Sequence, residues 1–154
     1  MSETMPFRPS RREAVALGAG AAALLALRPA RATPETMRAA IRELVGDAPL
    51  REGRMHLDVP PLVENGNSVA VTVTVDSPMT PADHVRRIVL FNEKNPLPQV
   101  ASFQLGPRAG RAVVATRVRL ADTQRVTAIA EMSDGSFRQT GAEVIVTLAA
   151  CVEG

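Results

Sequence analysis

One thiol bounds the chemistry open to this chain. Cys151 is the single cysteine among 154 residues, so an internal disulfide and a cysteine-based zinc cluster are both excluded. It stands between Ala149-Ala150 and Val152-Glu153-Gly154. A thiol with an ordinary pKa near ~8.5 is a few per cent thiolate at pH 7, and that anion is a strong, soft nucleophile. The neighbouring Glu153 charge works toward a higher pKa, not a lower one. Such a group can hold a covalent cargo, form an inter-chain disulfide, or serve only as a small apolar side chain. The remaining reactive side chains are sparse. His56 and His84, taken with Met55, Met79 and Met132, have the softness of a copper site, but their spacing fits no compact ligand set. Isolated strand or surface positions are expected for them. Asp83-His84-Val85-Arg86-Arg87 and the pair Arg117/Arg119 could steer anions or meet a partner; a solvated strand face is the plainer expectation. No Ser, His and Asp grouping has the local motif of a triad. The chain is therefore expected to carry no catalytic residue, no metal and no cofactor.

The formal net charge of +2 comes from the first 32 residues. Arg8, Arg11 and Arg12 precede a mildly apolar run, Ala14 to Leu27, and Ala30-Arg31-Ala32 fits a small-x-small cleavage site. Ser10-Arg11-Arg12-Glu13 reads as a twin-arginine signal, with Ala14 where a large apolar residue is commoner. The run is too short for a membrane span, which needs about 20 apolar residues. Removing residues 1–32 takes five Arg and two Glu, leaving 13 basic against 14 acidic residues over 122 positions. A net charge of −1, with no Trp or Tyr, argues against a nucleic-acid binder, which needs a basic footprint and stacking platforms. The expected location is the periplasm, reached by the twin-arginine route, with no membrane span after signal removal.

The elements that must position Cys151 are strands. Thr33 to Asp47 reads as one short helix: Thr33 can cap it, Pro34 suits its first position, and Met37, Ile41, Leu44 and Val45 share a face. Gly46 and Pro49 end it. After that the period changes from helical to two. Val69, Val71, Val73 and Val75 alternate with Ala70, Thr72, Thr74 and Asp76, the pattern of a half-buried strand. Further strands are expected near Met55 to Val59, Arg86 to Phe91, Ala101 to Leu105, Val114 to Leu120 and Val126 to Met132. Asp134-Gly135 makes a hairpin turn, Phe137 starts the return, and Glu143 to Leu148 is the last strand. Seven or eight short strands between Pro, Gly and Asn clusters predict an all-β sandwich. The expected organisation is a signal at 1–32, a sandwich domain at 33–148 and a cysteine-bearing tail at 149–154.

In this order the features resemble a known family. The signal, the short helix, Val59-Pro60 through Glu64-Asn65-Gly66 into a Val-rich strand, Glu93-Lys94-Asn95-Pro96, Ser102-Phe103, Asp134-Gly135-Ser136-Phe137, and Val144-x-Val146-Thr147 running to Cys151 are similar to SoxY. SoxY is the sulfur carrier of bacterial thiosulfate oxidation. The resemblance implies an immunoglobulin-like antiparallel β-sandwich preceded by a short N-terminal helix. It also implies pairing with a SoxZ-like subunit as a heterodimer and covalent attachment of the substrate at Cys151. A haem protein would conjugate thiosulfate to the thiol, a hydrolase would release sulfate, and sulfane-oxidising enzymes would act on the remaining sulfur. The protein itself would be a carrier, not an enzyme.

The tail departs from the family pattern. SoxY chains end in Gly-Gly-Cys-Gly-Gly, whereas this one has Ala149-Ala150-Cys151-Val152-Glu153-Gly154. Glycine reaches backbone conformations closed to Ala, and Val is stiff at its branched carbon. Two readings follow. In the first, the chain is a periplasmic sulfur carrier. In the second, it is a non-carrier β-sandwich acting in binding or assembly, without a swinging arm.

Overall fold

In the computed structural model, which describes residues 33–148, helix α1 spans Pro34–Val45. Both ends of that helix are built from local chemistry. The Thr33 hydroxyl accepts from the Thr36 N–H at 3.3 Å, and the Thr36 hydroxyl accepts from the Thr33 N–H at 3.0 Å. These reciprocal bonds satisfy donors that a helix start leaves open. At the other end Gly46, at φ 59°, returns its N–H to the Arg42 carbonyl at 2.8 Å. No helix among the described residues is long and apolar enough to cross a membrane. The expected signal at 1–32 and the tail at 149–154 lie outside the described residues.

Among the described residues nine strands follow: β1 (Leu50–Arg51), β2 (Met55–Asp58), β3 (Leu62–Asn65), β4 (Val69–Val75), β5 (Val85–Asn92), β6 (Gln99–Gln104), β7 (Ala112–Val118), β8 (Gln124–Met132) and β9 (Phe137–Leu148). They form two sheets, β1-β9-β8-β5-β6 with β3 added alongside β9, and β2-β4-β7. The alternation read along Val69 to Val75 is what the structure uses. All four valines are buried between the sheets, while Ala70 and Thr74 face outward.

The larger sheet is covered on both sides, which explains why β5 and β8 read as nearly continuous apolar runs. Ile88, Leu90, Val126, Ala128 and Ala130 face the smaller sheet. Val89, Phe91, Ile129 and Phe137 face α1, where they meet Met37 and Val45. Fully burying one such side chain contributes about 1.5–3 kcal/mol, so α1 is an integral layer over the sheet.

Two details differ from the sequence reading. The expected separate strands at Phe137 and at Glu143 to Leu148 are one twelve-residue strand, β9, running through Gly141. A Cβ at Gly141 would lie 3.0 Å from the Arg125 guanidinium and 3.1 Å from the Val126 carbonyl. The glycine there admits a close neighbour and does not break the strand. β1 and β3, which lack apolar alternation, both pair in parallel with β9. The β8–β9 turn is as expected: Gly135 sits at φ 79°, and the Asp134 carboxylate accepts from the Ser136 N–H at 2.9 Å.

Candidate functional site

The site is assembled at the end of the sandwich where β9 delivers the chain toward Cys151, three residues beyond Leu148. That strand end is held by two neighbouring connections. Gly66, in the β3–β4 turn, donates to the Leu148 carbonyl at 3.0 Å and accepts from the Leu120 N–H at 2.8 Å. Thr123, in the β7–β8 connection, accepts from the Val146 N–H at 2.9 Å and donates to the Val146 carbonyl at 3.4 Å. The Thr147 hydroxyl donates to the Glu64 carbonyl at 3.3 Å. The last residues of β9 are thus fixed in register from both sides.

The Glu93-Lys94-Asn95-Pro96 stretch forms the β5–β6 loop at this end and is stitched to the β7–β8 connection. The Asn95 amide donates to the Arg119 carbonyl at 2.8 Å and accepts from the Ala121 N–H at 3.2 Å and the Gln124 side chain at 3.0 Å. Gln124, which is buried, accepts from the Lys94 N–H at 2.8 Å. Buried Asn92 adds a second donor to the Arg119 carbonyl at 3.0 Å. Interlocked amides of this kind are costly to leave unpaired, so the loop is held as a unit. Its outer side carries Leu97, which is 77% exposed. Leu97 borders a cavity of about 430 Å³ shared with Asn95, Pro96, Val100, Arg117 and Arg119.

One ion pair ties the same loop to the β7–β8 connection. The Lys94 ammonium meets the Asp122 carboxylate at 3.1 Å. The hydrogen bond from Lys94 and, next, the one from the Thr123 N–H hold the Asp122 carboxyl below its ordinary pKa. Because the folded-state value is depressed, this contact stabilises the fold above the unfolded value near ~3.9 and is lost as pH falls through the folded value. Lys94→Ala should move the Asp122 titration back up toward an ordinary aspartate, measured by carboxyl-carbon NMR. An unmoved midpoint would mean that the Thr123 amide alone sets it.

Other sequence-derived candidates do not join this site. His56 is exposed on β2, where it pairs with Thr74, while the Nδ1 of His84 lies 3.0 Å from the Thr80 carbonyl. Met79 and Met132 are core residues, and Met55 packs against that core. Among the described residues no three His, Cys, Asp or Glu side chains converge as a metal site would require. Arg87 donates twice to the Glu131 carboxylate, at 3.0 and 2.7 Å, and Arg86 lies 3.6 Å from it. Those cations are therefore engaged in a local cluster. Arg117 reaches the Ser68 carbonyl and hydroxyl at 3.3 Å. Arg119 makes no side-chain hydrogen bond or ion pair among the described residues, although two amides pin its carbonyl. The sequence reading missed Asn92, Thr123 and Gln124. Asn92 immediately precedes the Glu-Lys-Asn-Pro stretch and was the one available signal; Thr123 and Gln124 lie far downstream and reach this end only through the fold.

Comparison with known proteins places this geometry. The family model for sulfur oxidation protein SoxY matches residues 41–151. Among solved structures, the sulfur carrier protein SoxY from Chlorobium limicola f. thiosulfatophilum is 30% identical, with a TM-score of 0.62, covering 74% of this chain and 98% of that one. A superoxide reductase (neelaredoxin) from Ignicoccus hospitalis is 19% identical, with a TM-score of 0.54 over 61% of this chain and 80% of its own. A putative superoxide reductase from Thermotoga maritima is 20% identical, with a TM-score of 0.52 over 64% and 87%. At those identities the reductases share the fold alone. No curated protein matches the chain. With the family match spanning most of its length and a β-sandwich shared with a solved SoxY, the chain belongs to the SoxY family of sulfur oxidation proteins.

Proposed function

We propose that the protein is a sulfur carrier that holds oxidation intermediates covalently on Cys151 and presents them to partner enzymes. The observation that carries this reading is the family match, whose span from residue 41 runs as far as residue 151, the cysteine itself. Three residues of extended chain past Leu148 reach about 10 Å, so the rigidly held end of β9 gives the thiol an anchored base. The charging step joins the Cys151 sulfur to the outer sulfur of thiosulfate. The thiol proton is released, and two electrons pass to a haem protein as oxidant. Water then attacks the sulfonate sulfur, the bond to the sulfane sulfur breaks, and sulfate leaves with two protons. A persulfide remains on Cys151 for further oxidation. In this reading the protein works in the periplasm after twin-arginine export, paired with a SoxZ-like subunit.

A second reading, a non-carrier binding or assembly module, is favoured by one feature. The tail has Ala and Val where a flexible arm has glycine. Intact mass of the complex from thiosulfate-grown cells, with and without reductant, separates the two. Additions that reductant removes, together with a small co-purifying subunit, support the carrier. An unmodified thiol under those conditions supports the module.

A further inference from the structure

We propose that the cavity between helix α1 and the β8–β9 pair binds a small zwitterion of the α-amino acid class, its carboxylate on Arg125 and its ammonium on Glu93. The floor of that cavity comes from the strand pleat. Ile129 faces α1, and side chains two residues apart on a strand share a face, so Thr127 and Arg125 face the helix as well. Across the pair, Ile129 lies opposite Gln139, Thr127 opposite Gly141 and Arg125 opposite Glu143. Gly141 has no side chain and Thr127 a short one, so the sheet is lowest at that row. Between it and the Met37 and Ile41 side of α1 is a space of about 300 Å³, at the small end of ligand-site volumes.

The walls supply charge of both signs. Arg38 and Arg125 line the cavity together with Glu52 and Glu93. Among the described residues neither arginine forms an ion pair with either glutamate. Arg38 reaches Glu35 at 3.6 Å and Arg125 reaches Glu143 at 3.7 Å, both loose contacts on exposed side chains. Opposite charges that share a small cavity without closing on each other leave room for a ligand that bridges them. A simple anion would meet two carboxylates there, and a simple cation two guanidinium groups. A zwitterion complements both.

Local structure holds the two principal groups in place. The Glu93 N–H donates to the Arg125 carbonyl at 3.3 Å, which fixes the spacing of the two main chains. The Arg125 guanidinium lies across Gly141, where a Cβ would stand 3.0 Å from one of its nitrogens. The glycine thereby admits the cation onto the cavity floor. Buried Thr127 and the Gln139 amide add neutral hydrogen-bonding groups. Met37 and Ile41 give an apolar wall for the ligand's own side chain. Glu93, the first residue of the Glu-Lys-Asn-Pro stretch, thus acquires a role separate from the amide network of Asn95.

This inference stands apart from the carrier reading, because it involves no cysteine chemistry and its test reads binding alone. L-Leucine is titrated into the isotope-labelled full chain, and the backbone amide shifts are followed by NMR. Saturable shifts at millimolar ligand or below are expected at Thr127, Gln139 and Gly141. Leucinamide, which lacks the carboxylate, and isocaproate, which lacks the ammonium, should leave those amides unmoved. Arg125→Gln and Glu93→Gln should each weaken L-leucine binding about tenfold or more, the scale of one charge-assisted hydrogen bond. Arg125 is exposed and Glu93 partly so, so both variants keep the fold, which the unchanged spectrum of the remaining amides checks. No saturation by L-leucine, equal shifts with either single-charge analogue, or native affinity in either variant would each overturn the proposal.

Discussion

Cys151→Ser removes every reductant-sensitive mass addition and reduces thiosulfate-dependent sulfur oxidation to background, while the folded domain and its partner subunit are retained. The reasoning is chemical. The charging step needs a sulfur that ionises near neutral pH and forms a sulfur–sulfur bond. A serine hydroxyl of nearly the same size does neither. Both clusters of buried side chains are built from residues between Met37 and Val146, so the thermal midpoint should shift by no more than the ~0.5 kcal/mol typical of a substitution outside such features. The measurement is paired: intact mass for the adduct, and sulfate production by a reconstituted system for the function. Undiminished sulfate production by Cys151→Ser would remove the thiol from the pathway and leave the binding-module reading.

Much of the scaffold was legible in the residues because its signals are local. The Thr33 cap, the Val69 to Val75 alternation and the Asp134-Gly135 turn each act over a few positions, and each appears in the structure where the sequence puts it. What escaped was set by distant partners. Leu62–Asn65 has no apolar period, and it is a strand only because β9 offers an unpaired edge to it in parallel. Gly141 looks like a break in sequence, yet the close approach of Arg125 and Val126 across the β8–β9 pair makes it a place where a side chain would be crowded.

The site divided in the same way. Cys151 stands out as a solitary residue type, and the Glu-Lys-Asn-Pro stretch as a motif. The purpose of that motif depends on Gln124 and the Arg119 carbonyl, 24 to 30 positions further along the chain. An amide network across that distance leaves no periodic trace. Arg117 and Arg119 were visible as alternate residues of one strand, but only the fold shows that one of them leans on Ser68 while the other is held by its backbone with its guanidinium unengaged among the described residues.

Phe91→Ala is expected to give the largest loss of stability, about 3–5 kcal/mol. The ring is fully buried between β5 and helix α1, against Val89, Ile129, Phe137 and the helix residues Met37 and Val45. Truncation removes the ring's apolar contacts and leaves a cavity that two regular elements cannot easily close. Domains of this kind hold roughly 5–15 kcal/mol in total, and each kilocalorie moves the melting temperature by about 2–8 °C across this size range. A fall of about 10–20 °C is therefore expected, read by thermal melts and by the urea midpoint. The next residue, Asn92, is one of the two asparagines that fix the Arg119 carbonyl, so loosening at Phe91 should also spread into the loop beside the end of β9. Amide hydrogen exchange at Lys94, whose N–H is bonded to Gln124, should then quicken in Phe91→Ala well before global melting, whereas a distant core truncation such as Val73→Ala should not have that effect. If both variants melt together with unchanged exchange at Lys94 below the transition, the helix-side cluster and the Glu-Lys-Asn-Pro loop are mechanically independent.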